Sequence, residues 1–183
     1  MIINFDVAGL PFKRLKRGET LYRPGTPLDS VYVVRSGFFK SQLMNEQGRA
    51  HVTAFHLQND LMGLDGVAMG EHHLEVVALE DSMVTIVPRE KFERFGVHRA
   101  VGLEMARSHR MMMWLGTLKA DERFGSFLVD MSERLLACGY SSREFHLRMT
   151  RHEIASFLGL SFETVSRLFS AFHQKGLLAV DNR

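Results

Sequence analysis

Residues 150–170, TRHEIASFLGLSFETVSRLFS, constrain the fold more tightly than any other stretch. Thr150 and Glu153 have the spacing of a capping box, so a helix starts there. Ile154, Ala155 and Leu158 give that helix an inner face, and the alanine lets another helix approach closely. Gly159 suits a left-handed turn residue, and Ser161 can cap the helix that follows. In the second helix Val165, Leu168, Phe169 and Phe172 recur on one side, which must be buried. Glu163, Ser166, Arg167 and Ser170 run i, i+3, i+4, i+7 along the other side. Two short helices joined at a tight glycine turn, the second with an exposed polar face, make a helix-turn-helix.

That polar face suits the major groove of double-stranded DNA. A guanidinium donates twice to guanine O6 and N7, a carboxylate accepts from the cytosine amino group, and a hydroxyl touches either kind of edge. A carboxylate is repelled by phosphates, so Glu163 makes sense as a base reader that also orients Arg167 through an i, i+4 pair. The plainer alternative is a solvated face with a surface ion pair worth a few tenths of a kcal/mol. Over residues 140–176 five basic side chains, Arg143, Arg148, Arg151, Arg167 and Lys175, face three acids, Glu144, Glu153 and Glu163. Thr150, Arg151, Ser161 and Thr164 are the candidates for phosphate contacts, which fix register without reading sequence.

Upstream, residues 11–88 read as β structure. The apolar runs SVYVVRSG, AHVTAFHL and SMVTIVP alternate with the turn-rich pieces RPGTPLDS, NEQGR and AMGEHH. No long helix intervenes to cross over, so a sandwich or jelly roll is expected rather than a parallel sheet. REKFERF is a short helix and HRAVGLEMARSHRMMMWLGTLK a longer one. Val101, Met105, Met112 and Leu115 form its apolar stripe, which either packs on its own domain or meets a second copy in a two-stranded homodimer seam. DERFGSFLVDMSERLLA is an amphipathic helix with Phe124, Phe127, Leu128, Met131, Leu135 and Leu136 on one side and Gly139 as its stop. REFHLRM is expected as a short strand leading into the helix-turn-helix. The chain therefore reads as α+β: a β domain over 1–90, a connecting helix over 91–119 and a helical DNA-binding domain over 120–183.

Composition narrows the function classes. Lysine and arginine number 23 against 21 aspartates and glutamates, so any basic surface is local rather than global. A single cysteine, Cys138, excludes an internal disulfide framework and an all-cysteine metal site within these residues. No apolar run approaches the ~20 residues of a membrane helix, and the N-terminus lacks a signal-peptide pattern, so a cytoplasmic protein with no membrane contact is expected. No nucleophile stands with a base and no carboxylate pair is placed for catalysis, which argues against an enzyme.

The stretch MTRHEIASFLGLSFETVSRLFSAF resembles the helix-turn-helix of Crp/Fnr-type transcription regulators, and its E-x-x-S-R pattern is similar to the Fnr branch. GETLYRPGTPLDSVYVVRSG and QNDLMGLDG resemble that family's β-roll sensor domain, a cyclic-nucleotide-binding-like jelly roll. The resemblance implies a homodimer whose Glu163, Ser166 and Arg167 read a palindrome with TTGAT-like halves. It also implies a winged helix, for which Gly176 to Val180 would supply the first strand, and a surface at residues 45–51, NEQGRAH, offered to RNA polymerase; a plain hairpin turn explains that loop equally well.

The departures from the family pattern are specific. Fnr holds an iron–sulfur cluster with N-terminal cysteines, which these residues do not contain. Nucleotide-binding members place a glutamate after the cassette glycine and an arginine–serine pair beyond it, whereas here Leu64 follows Gly63 and EHHLEVV has no arginine. A buried cyclic phosphate would lack its counter-charge, so no cofactor is expected and any effector is of unknown kind. The region 98–118 is shorter than the family's long helix. Glu71, His72 and His73 are expected as exposed loop residues rather than metal ligands, so no metal is expected; His56 is expected as a hydrogen-bonded core residue. Cys138 is a weak candidate for a redox-responsive thiol. The competing function is a small-molecule sensor or adaptor whose C-terminal part docks to protein rather than DNA.

Overall fold

The computed structural model describes residues 9–45, 47–95 and 97–179. Eight strands come first: β1 (Phe12–Leu15), β2 (Thr20–Tyr22), β3 (Ser30–Ser36), β4 (Phe39–Met44), β5 (Ala50–His56), β6 (Leu61–Met62), β7 (Glu75–Ala78) and β8 (Ser82–Pro88). They form two four-stranded sheets, ordered β1-β8-β3-β6 and β2-β7-β4-β5, in which every pairing is antiparallel. Leu15, Val34, Met62 and Val84 from the first sheet meet Leu21, Phe39, Val76 and Ala78 from the second, so the roll closes on its own apolar faces. Gly37 turns β3 into β4 at a φ of +89°, and a Cβ there would stand 2.1 Å from Ser82 Oγ, so only glycine fits.

Five helices follow: α1 (Arg89–Phe95), α2 (Val97–Thr117), α3 (Ala120–Ala137), α4 (Arg151–Leu158) and α5 (Phe162–Gln174). Phe92 of α1 and Ala100 of α2 bury against Leu28, Val31, Leu61 and Val87, which seats the start of α2 on the roll. Phe124, Phe127, Met131 and Leu135 turn inward from α3 as its periodicity requires, whereas Leu136 is 57% exposed. Leu136 follows Leu135 by about 100° around the helix, which is enough to leave the buried stripe.

The core does not divide where helices replace strands. Phe38, Val52, Phe55, Leu57 and Leu79 of the roll share one apolar cluster with Phe124, Phe127, Ile154, Leu158, Val165 and Phe169 of the helices. Polar ties cross the same seam. Ser156 Oγ accepts from Val52 N at 2.9 Å, and Lys40 pairs with Glu153 at 2.9 Å.

Two expected strands are absent. Residues 143–149 form no strand, although Met149 is buried and Phe145 and Leu147 pack on the shared core. Their apolar alternation is real, but the backbone finds no neighbouring strand to pair with. Residues 176–179 form a turn and an irregular segment rather than a strand, and Val180 lies outside the described residues. Among the described residues no helix is long and apolar enough to cross a membrane.

Candidate nucleic-acid interface

The helix-turn-helix is built as its sequence dictates. Thr150 Oγ1 accepts from Glu153 N at 3.2 Å, and the Glu153 carboxylate accepts from Thr150 N at 2.6 Å, completing the capping box of α4. Burial opposes ionisation of Glu153, but the Thr150 amide and the Lys40 ammonium outweigh it and hold the carboxyl below its ordinary value. Gly159 ends α4 at a φ of +61°. Ser161 Oγ accepts from Thr164 N at 3.1 Å and caps α5. Val165 and Phe169 anchor α5 to the core, leaving Glu163, Arg167 and Ser170 exposed on its outer side.

Three details differ from the pattern on the helical wheel. Glu163 and Arg167 form no ion pair: Arg167 Nη2 donates to Thr164 Oγ1 at 3.4 Å instead. The Glu163 carboxyl is drawn toward its own backbone N–H and Ser161, which lower its pKa, with Arg167 a minor influence. Ser166 is half-buried rather than outward-facing, and its Oγ is buried with no hydrogen-bond partner. Its place next to Val165 and one turn before Phe169 puts it on the border between the two faces. Arg151 lies with its guanidinium carbon 5.0 Å from the centre of the Phe169 ring, so this cation braces α4 against α5. Thr150, Ser161 and Thr164 are likewise engaged in capping, with their neighbouring amides near the surface.

The stripe on α2 is open to solvent in the single chain. Met105, Met112 and Leu115 are 53%, 58% and 39% exposed, and Val101 is half-buried. Leu115 also reaches the helix-turn-helix turn, where a Cβ on Gly159 would lie 3.2 Å from its Cδ2.

A cleft of about 360 Å³ separates α2 from the roll, lined by Ser41, Thr53, His56, Gly63, Leu64, Leu74, Val101, Glu104, Met105 and Met112 among others. Asp65 and Glu104 are its acids, and no lysine or arginine lines it. Burial pushes the Glu104 carboxyl up, which the positive charge of Arg107 only partly offsets. This lining does not fit a cyclic nucleotide, whose phosphate would meet carboxylates and no cation. His56 is buried as expected, 2.6 Å from Ser41 Oγ through Nε2, and burial pushes its pKa down to about 4. His72 departs from expectation: it is 1% exposed and stacks on Tyr22 at 3.7 Å between ring centres, while His73 is exposed. Cys138 donates to Gln58 O at 3.3 Å, and burial raises its pKa, the opposite of an activated thiol.

Sequence reasoning missed Asp60, which lies in the loop between β5 and β6. It accepts from Arg107 Nη2 of α2 at 2.8 Å and Arg134 Nη2 of α3 at 2.6 Å, so one buried acid joins roll, α2 and α3. Burial opposes its charge, but the two guanidinium groups overcome this and hold it at about 2. Arg123 was missed too, because neither its charge nor its helical position reveals the carbonyls it serves.

Comparison with known proteins agrees with this architecture. Residues 12–97 match the cyclic nucleotide-binding domain, and residues 147–178 match the crp family of bacterial regulatory proteins. The chain is 42% identical over 179 residues to the transcriptional regulatory protein btr of Bordetella pertussis, spanning 93% of this chain and 74% of that protein. It is 38% identical over 180 residues to the fumarate and nitrate reduction regulatory protein of Escherichia coli, spanning 93% and 72%. The structure of FixK2 from Bradyrhizobium japonicum superposes with a TM-score of 0.86 at 29% identity, spanning 95% of this chain and 89% of that one. The first two of these relatives are regulatory proteins by name. The chain belongs to the Crp/Fnr family of bacterial transcription regulators.

Proposed function

We propose that this chain acts as a homodimer that reads a palindromic, TTGAT-type site in double-stranded DNA with α5 in the major groove. The observation that carries the reading is the outer face of α5, where Arg167 stands exposed with no carboxylate paired to it, backed by the buried Val165 and Phe169. In this reading Arg167 donates to a guanine, Glu163 accepts from a cytosine amino group, and the Ser166 hydroxyl, buried in the unbound chain, turns outward to a base edge. The amides around Thr150, Arg151, Ser161 and Thr164 hold the phosphates, using the positive ends of α4 and α5. Family members bind DNA and act as dimers. The exposed α2 stripe, Val101, Met105, Met112 and Leu115, is the seam that would place two reading helices one DNA turn, ~34 Å, apart.

Leu43 and Met44, 45% and 48% exposed beside the 45–51 loop, support contact of that hairpin with RNA polymerase. An effector would act through α2, whose start is seated on the roll, by shifting dimers between DNA-competent and incompetent arrangements.

The test is titration of the protein against a TTGAT palindrome and a scrambled duplex at physiological salt. Wild type is expected to prefer the palindrome, and Arg167→Ala to lose ~1–3 kcal/mol of discrimination at the guanine it contacts. Equal affinity of wild type for both duplexes overturns the reading.

A further inference from the structure

The guanidinium of Arg123, in the first turn of α3, touches the ends of two other helices. Nη1 donates to Leu158 O at 2.7 Å, the last carbonyl of α4. Nη2 donates to Leu115 O at 3.2 Å in the last turn of α2 and to Leu118 O at 3.1 Å just beyond it. Carbonyls at helix C-termini have no intrahelical partner and carry the negative end of the dipole, so a cation bridging two such ends answers both needs. The planar fork of arginine addresses separate acceptors with fixed directions, which a lysine ammonium does not. The contact is retained even though Nε is buried with no partner, an arrangement that costs stability.

The turn of the helix-turn-helix sits directly on this clamp. A Cβ on Gly159 would lie 3.2 Å from Leu115 Cδ2 and 3.6 Å from Arg123 Nη1. Only Leu160 and Ser161 separate Gly159 from α5, so displacement of the Leu158 carbonyl carries into the reading helix. We propose that Arg123 is a positioning residue that fixes the angle between the α2 seam and α5, and so sets which half-site separation a dimer accepts. This rests on the DNA-reading proposal above.

The full chain and its Arg123→Met and Arg123→Lys variants are titrated against a TTGAT palindrome, the same palindrome with its centre lengthened or shortened by one base pair, and a duplex with a single half-site. Sedimentation monitors the dimer. Arg123→Met is expected to bind the single half-site and dimerise as wild type does, to lose about tenfold in affinity for the preferred palindrome, and to discriminate less between spacings. Arg123→Lys should lie between the two. Unchanged palindrome affinity and spacing preference in Arg123→Met overturns the assignment, as does equal loss at half-site and palindrome, which marks a merely structural role. If Arg123→Met does not fold, Arg123→Lys decides: a flattened spacing preference supports the clamp and a wild-type preference overturns it. Wild type that fails to prefer any TTGAT duplex over scrambled DNA removes DNA reading itself, whereas spacing preference shared by wild type and variants removes only the role of Arg123.

Discussion

His56 shows how a single side chain in the roll ties stability to pH. Its imidazole is buried and neutral, with Nε2 beside Ser41 Oγ, and its pKa falls from 6.5 to about 4. The unfolded chain therefore binds a proton that the folded chain refuses, and stability present above pH 6.5 is lost as pH falls through about 4. The full loss is on the order of 3 kcal/mol. Urea unfolding midpoints measured across this window should decline for wild type and decline less for His56→Gln, which keeps a hydrogen-bonding group without the titration; parallel declines would show that His56 is not the source. Residue-scale features divide by legibility. The caps at Thr150 and Ser161 and the left-handed Gly159 are visible in sequence because each answers a local backbone need. The burial of His72 and the choice of Thr164 over Glu163 as partner of Arg167 are not, because they depend on the ring of Tyr22 and on side-chain reach within a finished turn.

At the scale of elements, Asp60 organises what periodicity alone cannot. The strands and helices are legible as a change from short alternating runs to 3.6-residue stripes, but the angle between α2 and α3 is not, since it is set by a loop carboxylate far from both in sequence. The apolar alternation of residues 143–149 misleads for the same reason: it records which side chains face the core and says nothing about a partner strand. Removing the charge of Asp60 leaves Arg107 and the less exposed Arg134 without their shared counter-ion. Asp60→Asn should destabilise the chain by ~3 kcal/mol, the scale of breaking a buried pair on one side. Chemical denaturation checks this, and a change below ~1 kcal/mol would mean that the arginines find other acceptors.

Across the whole molecule, the expected division near residue 119 separates kinds of element while the apolar core runs through it. Sequence patterns show which face of each element is buried but not which other element covers it, so two self-contained domains and one continuous core read alike. Phe55 of β5 stands 6.2 Å from the Phe127 ring and 5.1 Å from the Phe157 ring, with α3 and α4 on the far side of the seam. The helix-turn-helix unit thus has no complete core without the roll, and motion of one against the other would expose these rings to water. Roll and helices should therefore unfold together. Phe55→Ala, which opens a cavity at the seam, should cost ~3–5 kcal/mol and lower the midpoints of the helical circular dichroism signal and of Trp114 fluorescence by the same amount. A lowered Trp114 midpoint, reporting the seam, while the helical transition keeps its wild-type midpoint would show two independent units, and with them helices free to swing on the roll.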